Sequence, residues 1–309
     1  MVVLTKNLTK LIGSYYDKNY DSLGKKQFHF SSRHYLWFND KKNLARLKRL
    51  KSSYIGNNQK EVEAIILNIL NKNYRLGKKI KARKLRKKVL LKYPLLIKYE
   101  RILFKILFTK HLYKYDISPI ALKHLDLNNL IKYRDALYKN KKDLATLSTL
   151  GLNFIYNLRF FLNLIHKDNL NKLDPAYLFE VAKIEYNKDA SLTNRVNLQL
   201  YYYTHCIINE SEFYFKKIKD RDGVYLKMLK TAERIIFTNY LKTRLDNKVE
   251  FLVCCKLLNY KTKLFDLIYS ECETSLSNSD NYLINKRSSL NDLKNSEHRN
   301  ILFLMAFSK

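Results

Sequence analysis

The densest chemistry in this chain is a run of positive charge. Gly77 to Lys92 reads GKKIKARKLRKKVLLK, with nine basic residues and no acid. Lys78, Lys79, Lys81, Arg83, Lys84, Arg86, Lys87 and Lys88 crowd its centre. Wound into a helix, these charges would cover most of the circumference. That is unfavourable alone and natural against phosphates. No acid occurs between Glu63 and Glu100, whereas a solvated helix interleaves both signs. The run is therefore read as a phosphate contact rather than a solvated face or a nuclear-targeting-like signal.

Other chemistries find little support. Cys206, Cys254, Cys255 and Cys272 contain no CxxC spacing, and adjacent cysteines do not readily bridge one another. They read as reduced thiols. The seven histidines are scattered, and His29 and His34 are poorly spaced for one helix face, so no metal site is expected. GxGxxG, GxxxxGK[ST], HExxH and GxSxG are all absent. Neither a catalytic centre, a cofactor nor a small-molecule substrate is expected. The tyrosines of YYYTHC, Tyr201–Cys206, offer stacking surfaces, but in a chain with 24 tyrosines they read first as packing.

The whole composition points the same way. Lys and Arg number 59 against 28 Asp and Glu, a formal charge of +31. Such a chain needs an anionic partner. Membrane-surface proteins gather charge on one helix or tail, whereas here the excess runs through most of the sequence, which favours a nucleic-acid backbone over a merely soluble lysine-rich chain. No stretch reads as a transmembrane span; the nearest, Thr146–Ile165, carries Arg159 and three asparagines and is read as a core helix. Lys, Asn, Ile, Leu, Tyr and Phe are favoured, the amino acids of AT-rich codons, as in an organelle's genome. The first sixteen residues carry Lys6 and Lys10 but no arginine. They lack a secretory h-region and only weakly suggest a cleaved mitochondrial presequence, which synthesis inside the organelle would not need.

The elements that must position these charges are expected to be helical. Hydrophobic residues make up 46%, with only 6 glycines and 3 prolines as breakers. Residues 1–60 read as an irregular basic arm with a short helix at Lys41–Lys51. A helical body over 61–240 follows, with stripes such as Val62, Ile66 and Ile69, and Ile102, Leu103, Ile106 and Leu107. Asp174 before Pro175 is a helix start. Residues 241–309 read as a small α+β domain: Thr243 and Asp246 form a capping box, Arg244, Lys248 and Lys256 lie exposed, Tyr260–Tyr269 is a second helix, and Tyr282–Ile284 and Asn300–Phe307 are short strands.

That tail carries a resemblance. TRLDNKVEFL, Thr243–Leu252, resembles the start of the RNA-binding motif of the small-subunit ribosomal protein S-four family, where Arg-Leu-Asp-Asn opens a short helix. YKTKLFDLIY, YLINKRSSL and the terminal LFLMAFSK resemble the family's second helix, strand-and-turn and closing strand, in the same order. The family's turn glycines are absent, and about ten extra residues precede the strand. The resemblance covers about 65 residues. It implies RNA contacts from Arg244, Lys256, Lys261, Lys263, Lys286 and Arg287, and a seat on an rRNA junction near the mRNA entry side.

The expected protein is mainly α. It is expected to be a non-catalytic rRNA-binding protein of the mitochondrial small ribosomal subunit, with rRNA and neighbouring ribosomal proteins as partners. The alternatives are a helical accessory subunit of another organellar complex, binding protein and anionic lipid, and an RNA-modifying or tRNA-charging enzyme.

Overall fold

A computed structural model describes residues 2–74, 81–185, 192–276, 282–284 and 292–308; within these the side chains of 2–6, 81–85, 184, 185 and 194 are left out. Among the described residues lie sixteen α-helices: α1 (Val2–Lys18), α2 (Gln27–Phe38), α3 (Lys41–Ile55), α4 (Gln59–Asn71), α5 (Lys81–Leu90), α6 (Leu96–Tyr113), α7 (Ser118–Leu122), α8 (Leu127–Lys139), α9 (Lys141–Leu147), α10 (Thr149–Leu164), α11 (Pro175–Glu185), α12 (Leu192–Glu210), α13 (Val224–Thr238), α14 (Leu245–Leu257), α15 (Phe265–Thr274) and α16 (Leu293–Phe307). The mainly helical class is as the scarcity of glycine and proline requires.

The chain folds into two compact units. A central unit comprises Arg49–Lys216, and a terminal unit joins Met1–Lys48 to Lys217–Lys309. The first boundary falls inside α3. The sequence had suggested divisions near residues 60 and 241. The N-terminal segment carries the expected helix at Lys41–Lys51 within α3, but the part before it, expected to be irregular, is helical too, in α1 and α2.

In the central unit α6 packs on α10, and α10 on α12. The stripe Ile102, Leu103, Ile106 and Leu107 of α6 is buried, as are Phe154, Leu158 and Phe161 of α10, each such side chain contributing about 1.5–3 kcal/mol. Local caps set the helix starts. Asn58 Oδ1 accepts the Glu61 amide while the Glu61 carboxylate accepts from Asn57 N, a reciprocal arrangement that closes α4's first turn. Asp174 accepts from Ala176 N and Tyr177 N, as expected ahead of Pro175. The segment Thr146–Ile165, read as one core helix, is instead divided between α9 and α10, which are broken at Ser148 with φ 49°. Gly151 permits that corner: a Cβ there would lie 2.9 Å from Leu144 Cδ1 and 3.3 Å from Leu147 Cβ.

In the terminal unit α16 packs on α14, α1 and α2. Three expectations are corrected here. Asn300–Phe307 is not a strand but the second half of α16, with Ile301 to Phe307 all buried. A short apolar run does not by itself distinguish a buried helix from a strand. This one has a single β-branched residue, Ile301, and Asp292 caps its helix by accepting from Asn295 N. Among the described residues there is no strand, only an isolated bridge between Leu276 and Leu283. The backbone that a strand would pair is bonded by side chains instead: Asn300 accepts Leu283 N at 2.7 Å and donates to Leu283 O at 3.1 Å. The small α+β domain is therefore replaced by helices. Finally, Thr243 caps nothing; its hydroxyl donates to Asn239 O. Asp246 instead accepts from Arg299 at 3.0 and 3.2 Å.

Candidate nucleic-acid interface

Among the described residues some basic side chains are held against the protein and others stand exposed. The basic run illustrates both. Lys78 and Lys79 lie outside the described residues, as do Lys286 and Arg287 of the tail. Lys81, Arg83 and Lys84 fall on α5, their side chains undescribed. Lys87 and Lys88 are exposed on the same helix. Arg86 turns inward and donates to Leu147 O. Lys92, at the end of the run, grips buried Asp143 at 2.9 and 3.0 Å, where Tyr93 OH also donates.

A second cationic surface in the central unit has no counterpart in the motif reading. Lys98, Arg101 and Lys105 stand at i, i+3 and i+7 on α6, one face of the helix. Each is oriented by a carbonyl or a tyrosine rather than by a carboxylate. Lys98 donates to Leu70 O, at the end of α4. The Arg101 guanidinium lies 4.3 Å from the centroid of Tyr74, with Lys72 5.9 Å from the same ring. Lys105 donates to Tyr54 O and stands 3.8 Å from that ring's centroid. One turn earlier on α3, Lys51 is 5.7 Å from the ring of Tyr115. Among the described residues none of these five cations pairs with an acid. Burial, then the neighbouring Arg101, pushes Lys105 down to about 8.

The one carboxylate of α6, Glu100, serves the other side, accepting from Asn153 of α10. Burial pushes it up to about 7, against the pull of Asn153, Arg101 and Arg86. The geometry can hold phosphates: fixed cations, no competing acid, and flat tyrosines between them. In sequence this face is written as the i, i+3, i+7 spacing of Lys98, Arg101 and Lys105 within LIKYERILFKILFTKHLY, interleaved with the apolar stripe of the core.

In the terminal unit Arg244, Lys261 and Lys263 are exposed. Lys256 is exposed too, though its ammonium donates to Ser308 O. Lys248, expected at the surface, is buried at 2% exposure. It pairs with Glu271 at 2.5 Å and sits 3.6 Å from the Tyr240 ring centroid. α15 begins only at Phe265 because Tyr260, Thr262 and the Lys263 amide are all drawn to the Glu233 carboxylate.

Residues weighed for other chemistry are structural. Tyr202 and Tyr203 are wholly buried, so packing is the role of that triplet. His29 and His34 do not converge: His29 Nδ1 donates to buried Glu297 at 2.6 Å, and His34 meets Asp40 at 2.7 Å. Burial, with Arg33 beside it, pushes His29 down to about 3, so it is neutral. All four cysteines are buried and unbridged. Burial pushes the thiols of Cys206, Cys255 and Cys272 up. Among the described residues no group of three His, Cys, Asp or Glu side chains could hold a metal, and no helix is long and apolar enough to cross a membrane. No family model matches the chain, nor does any curated protein or solved structure.

Proposed function

We propose that this protein is a non-catalytic RNA-binding component of a mitochondrial small ribosomal subunit, where it neutralises and organises rRNA beside neighbouring ribosomal proteins. The observation that carries the reading is the acid-free face of α6, where Lys98, Arg101 and Lys105 alternate with Tyr74 and Tyr54. With a net charge of +31, the chain gains by exchanging condensed counterions on RNA for its own side chains. The AT-rich amino-acid usage supports an organellar origin. The resemblance of Thr243–Leu252 to the S-four motif supports the ribosomal assignment, with Arg-Leu-Asp-Asn at the start of α14. Backbone contacts supply affinity, and the fixed spacing of the cations selects RNA shape.

Salt dependence tests the α6 face. Changing Lys98, Arg101 and Lys105 together to Ala should lower the log–log salt slope of binding to a structured rRNA fragment by about 2 to 3. An unchanged slope rejects this face as a contact. Sedimentation of a gentle lysate with and without EDTA tests the ribosomal assignment. The protein should travel with monosomes and move to the small-subunit peak when magnesium is removed; sedimentation away from rRNA, unaffected by EDTA, rejects it.

A further inference from the structure

Of the Phe, Tyr and Trp side chains among the described residues, only Phe237 is exposed. The residue is 74% exposed, although it lies on α13, whose other face buries Tyr225, Met228, Leu229, Ala232 and Ile236. The outer face of that helix is cationic. Lys227, Lys230 and Arg234 are all exposed and precede Phe237 by ten, seven and three residues, so they share its side of the helix. Successive members of the stripe are separated along the axis by about 4.5 to 6 Å, from a rise of about 1.5 Å per residue. Leu241, 78% exposed, follows one turn on. The one acid of α13, Glu233, does not compete, because its carboxylate is held by Tyr260, Thr262 and the Lys263 amide.

We propose that this face is a single-stranded RNA site in which Phe237 stacks on one unpaired base and Lys227, Lys230 and Arg234 follow the adjoining phosphates. The inference rests on the RNA-binding reading and adds to it a strand type and a residue that reads it. Unpaired bases stack on aromatic rings irrespective of sequence, and cations track the backbone beside them. A protein-docking patch would be depleted of lysine at its centre, whereas here cations run up to the ring.

The test uses the full chain with W37F and F237W, which leaves the introduced indole as the sole tryptophan, titrated with single-stranded oligo(A) at several salt concentrations. Stacking should quench its emission. In the otherwise native chain, F237L, which keeps apolar bulk and loses the ring, should weaken binding roughly 5- to 150-fold with the salt slope unchanged. K227A/K230A/R234A should lower the slope by about 2. Salt-dependent oligo(A) binding with no quenching and no effect of F237L overturns the stacking site and leaves the RNA-binding reading standing. Absence of binding to both oligo(A) and a structured rRNA fragment overturns both. Quenching by cardiolipin vesicles but not by oligo(A) assigns the face to lipid and overturns the proposal.

Discussion

Glu100 is a half-buried carboxyl near Arg101 and Arg86 that, among the described residues, is bonded by Asn153 rather than paired with a cation, and its titration exposes that arrangement. Its folded value, about 7, lies above the ordinary 4.5. Between those values the folded chain holds a proton that the unfolded chain has released, so stability should fall as pH rises from about 4.5 to 7. E100Q keeps an acceptor for Asn153 and removes the titration. Urea melts should show the variant lacking that slope and more stable than the parent at neutral pH by roughly 1–3 kcal/mol. An unaltered pH profile would mean that the carboxyl is ionised and solvated in the fold.

At the scale of elements, α14 and α16 decide how the C-terminal segment is built. Asp246 was legible as a helix-start residue, but its partner is Arg299, 53 residues later and only 5% exposed. D246A should therefore cost far more than loss of a cap: about 3–5 kcal/mol, because it strands a buried guanidinium. A cost of about 1 kcal/mol, typical of a cap, would refute the tertiary role. The α9–α10 corner makes a parallel point. G151A should destabilise by about 1–3 kcal/mol through the close approach of Leu144 and Leu147, measured by thermal melting, where an exposed helical glycine would instead be stabilised by alanine.

For the whole molecule, the two chain ends belong to one core. α16 packs on α1 and α2, and Tyr16, stacked on Phe30, donates its hydroxyl to Leu293 O. Removing residues 302–309 deletes Leu302 to Phe307 from this core. Hydrogen exchange should then show lost protection across α1 and α2, far away in sequence, while α6, α10 and α12 of the central unit keep theirs. Retained protection in α1 and α2 would show that they fold without the C-terminus. Domain boundaries near residues 60 and 241 were the natural reading of composition, because composition changes along the chain whereas this core joins its ends.

By itself, the sequence determined the helical class, the buried stripes of α4 and α6, the Asp174–Pro175 helix start and the cationic excess, since each follows from local residue types, their spacing or a simple sum. Only the tertiary structure decided which charges remain available. Lys92 and Lys248 look alike in sequence to Lys87 and Lys88, yet the first two are paired with the carboxylates of Asp143 and Glu271. It also decided that LFLMAF is helix, because an apolar run takes its periodicity from the partners that surround it. The exposure of Phe237 was equally invisible, since whether an aromatic on an amphipathic helix is covered depends on what packs against that turn, which no local pattern records.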